Sequence, residues 1–188
     1  MLLDNLRAIV GHKHVVQDGF ELVPYLDEAR GNFDSRTSAL VLPNSTEEVA
    51  AIVSECSRAG VSIVPQGGNT GLCGGAVSNE RQVLVNLGRM NKILDIDTIN
   101  DTLSVEAGCI LQDIQELANE SGRYFPLSLG AEGTCQIGGN LATNAGGINV
   151  LRYGNVRDQV LGLEALPGAR GVISEETKFV APAVCEPA

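Results

Sequence analysis

Residues 66–75 read QGGNTGLCGG, and five of these ten are glycine. They follow the apolar run Val61-Ser62-Ile63-Val64, which Pro65 closes as a strand. A glycine-dense loop leaves its amides uncovered by side chains and reaches positive φ, so a ligand can touch the backbone. Consecutive N–H groups in such a loop can form an anion-binding nest. No Lys or Arg lies between Arg58 and Arg81, so a bound anion would be held by backbone dipoles. The functional reading is a cradle for a pyrophosphate; glycine content alone equally describes a surface loop.

Two commoner phosphate motifs are excluded. G-x-x-x-x-G-K-[ST] needs a lysine that is absent, and Gly67, Gly68 and Gly71 lack G-x-G-x-x-G spacing. Composition narrows the partners further. The chain has 188 residues, 44% apolar and 19% charged, which suits a packed core rather than disorder. Thirteen basic against 23 acidic residues give a net charge of −10, which disfavours a nucleic-acid or anionic-membrane surface. Cysteines 56, 73, 109, 135 and 185 are odd in number and never form C-x-x-C. With only His12 and His14 as imidazoles, neither a metal site nor a disulfide framework is expected, and a reducing compartment is. No signal-peptide plan and no apolar run of about 18 residues is found, so the cytoplasm is expected.

Periodicity supplies the frame. Leu2, Leu3, Leu6, Ile9 and Val10 form a helix stripe stopped by Gly11. His12 and His14 read as surface residues in a polar bend, and residues 17–38 carry no assigned chemistry. Residues 39–42 read as a strand before Pro43. Ser45 is a candidate N-cap, with Glu48 completing a capping box for a helix that buries Val49, Ile52, Val53 and Cys56 and ends at Gly60. Strand, helix, strand is a βαβ unit. Further strands are expected at 83–87, 93–97 and 102–107, with Asn100-Asp101 as a hairpin turn. A helix on Ile110, Leu111, Ile114, Leu117 and Ala118 closes at Gly122. A second tract, residues 130–154, holds seven glycines around a short helix within 137–145, and residues 160–166 read as a final strand.

Both tracts are rich in Asn and Thr and nearly free of charge. PQGGNTGLCGG, then GAEGTCQIGGNLATNAGG, then RYGNVRDQVLGLEAL resemble the FAD-binding domain of the vanillyl-alcohol oxidase / p-cresol methylhydroxylase superfamily. Within it they look most like FAD-linked D-2-hydroxyacid dehydrogenases, a group with D-2-hydroxyglutarate dehydrogenase, D-lactate dehydrogenase and the glycolate oxidase flavin subunit. The resemblance covers roughly residues 38–166. It implies an α+β fold of two lobes with FAD between them, preceded by a helical lead-in over 1–37, and hydride transfer from a D-2-hydroxy acid to flavin N5.

By that resemblance, Pro65, Gln66, Gly67, Gly68, Asn69, Thr70 and Gly71 hold the pyrophosphate, with Leu72, Gly74 and Gly75 continuing the turn. Pro126, Thr134, Gly138, Gly139, Thr143, Asn144, Gly146 and Gly147 line the flavin and ribityl side, which Arg152-Tyr153-Gly154 closes; Val160 and Gly162 lie near the adenine half. Thr143 and Asn144 can donate hydrogen bonds where Gly146 and Gly147 leave room for the ring, and such donors tune a flavin. Asn69 stands where relatives that attach flavin covalently carry His, which implies non-covalent FAD; Cys73 and Cys135 keep a thiol link open to test. The sequence after Leu166 departs from the family, and the substrate domain with its arginine, metal ligands and base is expected to be missing. No catalytic residue is therefore assigned. A homodimer or a partner subunit fits the same reading, as do a non-catalytic flavin module and another flavoenzyme on this domain, such as a UDP-N-acetylenolpyruvoylglucosamine reductase-like protein or a sugar-lactone oxidase.

Overall fold

The computed structural model describes residues 1–28, 30–166 and 180–182. It divides into two compact units, one built on Met1–Met90 and one on Asn91–Ala165. The sequence reading of the tail after Leu166 lies largely outside the described residues, as does Cys185.

The first unit is a four-stranded sheet in the order β1-β2-β4-β3, formed by β1 (Val15–Val16), β2 (Ala39–Val41), β3 (Ile63–Gln66) and β4 (Val83–Asn86). β2 and β3 both run parallel to β4, and β1 pairs antiparallel with β2. Alternation sorts the side chains: Ala39, Val41, Val83 and Val85 face one core with Leu6, Ile52 and Cys56, while Leu40, Val64 and Leu84 face another with Leu22. Helices α1 (Leu2–Val10) and α3 (Thr46–Ala59) supply the first core and α2 (Gly19–Leu26) the second. Covering both faces explains why β2 and β4 are continuous apolar runs.

α3 starts where the sequence places it. Ser45 Oγ accepts the Glu48 N–H at 3.2 Å, but the Glu48 carboxylate takes the Asn44 N–H at 2.7 Å, one residue upstream of the expected box partner. Gly60 ends the helix at φ 68. One expectation is corrected. Pro65 lies inside β3 opposite Val85 instead of ending it; β3 is the sheet edge, where a missing N–H breaks no ladder bond. The segment 17–38 contains α2, capped by Asp18 through the Phe20 N–H at 2.8 Å and carrying Pro24.

The second unit pairs β5 (Ile93–Asp97), β6 (Thr102–Val105) and β7 (Val180–Pro182) in an antiparallel sheet. The turn between β5 and β6 falls at Asp101, φ 55, whose carboxylate takes the Arg123 guanidinium at 2.6 Å. Helix α4 (Leu111–Glu120) buries Leu111, Ile114 and Ala118 against Leu103, Val105, Phe125, Leu127, Ile137 and Leu141. Residues 160–166 form no named strand: Val160 packs on this core, whereas Leu161, Leu163 and Leu166 are exposed, and no described residue covers that run. Among the described residues no helix is long and apolar enough to cross a membrane.

Candidate functional site

In the first unit the sheet delivers the glycine loop at the carboxyl end of β3. Gln66 is buried and its carbonyl accepts the Leu87 N–H at 3.0 Å, so its backbone belongs to the sheet. Its side chain braces the loop. Nε2 donates to the Tyr25 carbonyl at 2.8 Å, and Oε1 accepts from Asn86 Nδ2 at 3.0 Å. Asn86 Nδ2 also reaches the Gly67 carbonyl at 2.9 Å.

From residue 68 to residue 76, no backbone N–H donates to any acceptor among the described residues. The next amide, Val77, closes on the Gly74 carbonyl at 3.1 Å. Nine consecutive amides are thus left to solvent or a ligand, and none of the nine residues is buried. Asn69 adopts φ 53 and Gly74 φ 73, local left-handed geometry that turns successive amides. Gly71 and Gly75 have open space where a Cβ would project. Asn69 holds its conformation by donating Nδ2 to the Asp27 carbonyl at 2.8 Å. Thr70, Gly71, Leu72 and Cys73 are partly or fully exposed. No lysine or arginine lies in this loop, so the site presents dipoles rather than charge.

In the second unit the residues of the other tract gather around α5 (Ile137–Ala142). The amides of Ile137 and Gly138 are taken by Cys109 and Ala107 carbonyls at 2.9 and 2.8 Å. Arg157 closes the other end, donating to Leu141 and Ala142 carbonyls at 2.9 and 2.8 Å. Gly139 faces open space, as does Gly130. The remaining glycines serve the protein's own packing. A Cβ on Gly138 would meet Ala107 at 2.8 Å, on Gly146 the Asn155 side chain at 2.7 Å, and on Gly147 the Ser128 carbonyl at 2.0 Å. Room at 146 and 147 is thus filled by neighbouring atoms of the chain itself.

Thr143 Oγ1 donates to the Gly139 carbonyl at 3.0 Å, and Asn144, at φ 51, accepts the Arg157 N–H at 3.2 Å through Oδ1, leaving its Nδ2 as the available donor. Thr134 Oγ1 bonds the Ala131 carbonyl at 3.3 Å. Pro126 is buried and its carbonyl takes Asn149 Nδ2 at 3.0 Å. Tyr153, at the end of α6 (Val150–Tyr153), lies 6.2 Å from the Tyr124 ring and under the Arg152 guanidinium at 5.2 Å. Val160 and Gly162 are half-buried. The amide oxygens of Gln136, Asn140 and Gln159 are buried without a partner among the described residues, and Asn140 and Gln159 are almost fully enclosed. Neither Asn140 nor Gln159 was singled out from the sequence. Their signal was an amide inside an apolar periodicity, which only burial makes conspicuous.

Cys56, Cys109 and Cys135 are free and buried. Burial pushes the Cys109 thiol up to about 11 and raises those of Cys56 and Cys135. Cys73, on the loop, is free and exposed. No cluster of three or more His, Cys, Asp or Glu able to hold a metal occurs among the described residues.

In the first unit, the unpaired amides and the open glycine faces at 71 and 75 suit the phosphates of a nucleotide. In the second unit, taken by itself, Gly139 leaves an open face and the orphaned amide oxygens can accept from a polar ring edge. Residues 37–175 match the model of the family described as FAD binding domain. A D-2-hydroxyglutarate dehydrogenase of Arabidopsis thaliana, named as mitochondrial, is 42% identical over 167 residues, 89% of this chain and 30% of that protein. One from Xanthomonas citri pv. viticola is 47% identical over 131 residues, 70% of this chain and 28% of that one. The chain thus spans about 30% of the length of these relatives. Among solved structures, p-cresol methylhydroxylase with substrate bound superposes with a TM-score of 0.64 at 26% identity, over 77% of this chain and 29% of that one.

Proposed function

Because this chain belongs to the FAD binding domain family, with FAD as its cofactor, we propose that it is the cofactor-holding part of an oxidoreductase acting on a D-2-hydroxy acid. The observation that carries this reading is the run of unpaired amides at residues 68–76, on a chain 42% identical to a D-2-hydroxyglutarate dehydrogenase. Residues 67–75 grip the diphosphate. Gln66 and Pro65 fix the loop's exit from the sheet. Thr134, Gly139, Thr143 and Asn144 face the flavin and ribityl side, and Pro126, Gly138, Gly146 and Gly147 shape the wall behind them. Val160 and Gly162 cover the adenine half.

Bound flavin supplies the hydride acceptor; the chain's own residues bind and orient it and exclude water. Nδ2 of Asn144 is the available donor, and a hydrogen bond from it to a carbonyl of the ring stabilises the reduced, anionic form. Binding is taken as non-covalent because Asn69 has no nucleophile and Cys135 is buried, and Cys73, free and exposed on the loop, is the thiol that acid precipitation tests. The substrate is a small 2-hydroxy acid such as D-2-hydroxyglutarate or D-lactate, with glycolate the smallest of the class.

The test is a titration of the purified chain with FAD, followed by flavin absorbance and fluorescence. Saturable binding, with all flavin released by acid precipitation, is expected; no binding sinks the proposal, and yellow colour left in the precipitate sinks its non-covalent clause. Turnover of the three acids by the complete protein tests the substrate. We place the protein in a reducing compartment on its free thiols, the cytosol first; immunofractionation checks this against the mitochondrion, the compartment in the Arabidopsis relative's name.

A further inference from the structure

The loop's amides find no acceptor among the described residues, yet its shape is held at three points by a single upstream stretch to which the sequence assigns no chemistry. At the entry, Gln66 Nε2 and Asn69 Nδ2 donate to the carbonyls of Tyr25 and Asp27, both at 2.8 Å. At the bend, the Phe33 ring sits 3.1 Å from where a Cβ of Gly74 would lie. At the exit, Ser78 Oγ donates to the Arg36 carbonyl at 2.6 Å and the Arg36 N–H to the Ser78 carbonyl at 2.9 Å. The stretch has its own brace. Glu28 is 5% exposed, and its carboxylate accepts the N–H groups of Arg30 and Asn32 at 3.2 and 2.9 Å, a tight turn immediately before Phe33.

We propose that Phe33, set by the Glu28 turn, is a positioning residue for the anion-binding loop: it presses on Gly74 and keeps the amides of residues 68–76 aimed at one point. The physical reason is preorganisation. Free donors on a slack glycine loop would have to be ordered by the ligand, and that cost is subtracted from affinity. Ordering them beforehand from outside leaves the donors unused and the loop fixed. Phe33 suits this task because it is 42% exposed, so it contributes little to either core of its unit and its contact is with the loop.

This inference rests on the reading of the loop as the diphosphate grip, and the experiment separates the two. ADP, which carries a diphosphate and no flavin, is titrated calorimetrically into the wild-type chain, Phe33→Ala, Phe33→Leu and Glu28→Gln, with FAD in parallel. Wild-type protein that binds neither ligand removes the loop reading itself. If it binds both, Phe33→Ala is expected to weaken ADP and FAD alike by roughly tenfold through lost preorganisation, with Phe33→Leu restoring most of it. The ligand-free Phe33→Ala protein should stay folded, with a small drop in melting temperature that Phe33→Leu largely reverses. Unchanged ADP affinity in Phe33→Ala overturns the proposal, as does a loss confined to FAD, which would place Phe33 against the flavin. Should Phe33→Ala fail to fold, Glu28→Gln decides: weakened ADP binding supports the proposal and wild-type binding overturns it.

Discussion

Two glycines of the same tract, Gly139 and Gly147, look alike in the sequence and differ completely in their surroundings. A Cβ at 147 would lie 2.0 Å from the Ser128 carbonyl, whereas at 139 it meets nothing within 4 Å. Gly147→Ala must displace backbone, and we expect a loss of more than about 3 kcal/mol in urea unfolding. Gly139→Ala removes a helix-interior glycine, so the ligand-free protein should gain up to about 1 kcal/mol, while FAD affinity falls if that face meets the cofactor. Equal stability of the two variants would refute this division. His14 gives a second prediction. Burial, then the charges of Arg89 and Lys13, hold its imidazole below the ordinary value. The folded state therefore binds fewer protons than the unfolded one, in which the group titrates near about pH 6.5. Its contribution to stability is complete above that pH and is lost as pH falls toward the folded value. Urea midpoints of wild type minus His14→Gln, followed from about pH 8 to about pH 5, should fall on acidification; a flat difference would rule the effect out.

Elements differed in legibility for identifiable reasons. α3 carries all its instructions locally: Ser45 at the cap, a 3.6-residue apolar face through Ile52 and Cys56, and Gly60 at the stop. Ser45→Ala should cost about 1 kcal/mol in thermal or urea unfolding by freeing the Glu48 N–H; a change below a few tenths would show that the Glu48–Asn44 bond suffices. The bounds of α2 inside the helical lead-in were illegible because Pro24 sits inside it and its GFELVPYL run is too apolar to show a face; packing of Leu22 against Leu40 and Leu84 decides them. Residues 160–166 misled in the opposite direction, since an apolar run makes a strand only where an open edge and a covering layer await it. The same division runs through the site. The two tracts stand out from glycine density alone, but which glycines serve packing depends on partners such as Ala107, Ser128 and Asn155. Asn155 follows Gly146 by nine residues, while Ala107 precedes Gly138 by thirty-one, beyond any local pattern.

At the scale of the molecule, each unit owns a core, and each carries one of the glycine tracts. Were one FAD served by both, it would make a demand that a ligand of either unit alone would not. Amides 68–76 have no acceptor within the described residues, and those of Gly146 and Gly147 likewise donate to none. All should exchange with solvent deuterium quickly in the ligand-free chain, since exchange is slowed chiefly by hydrogen bonding and local stability. Ligand binding to the folded state alone stabilises it by about 2.7 kcal/mol at a hundred times Kd, so saturating FAD raises protection wherever its contacts close. The expected outcome is that peptides covering residues 67–77 and 138–150 gain protection together, along one saturation curve with one midpoint. Pyrophosphate or ADP should protect the first peptide and leave the second near its ligand-free rate. Protection of the first peptide alone at saturating FAD would mean that the second tract is packing and nothing more. Two distinct midpoints would mean separate ligands, and the single-cofactor reading of the pair of tracts would have to be abandoned.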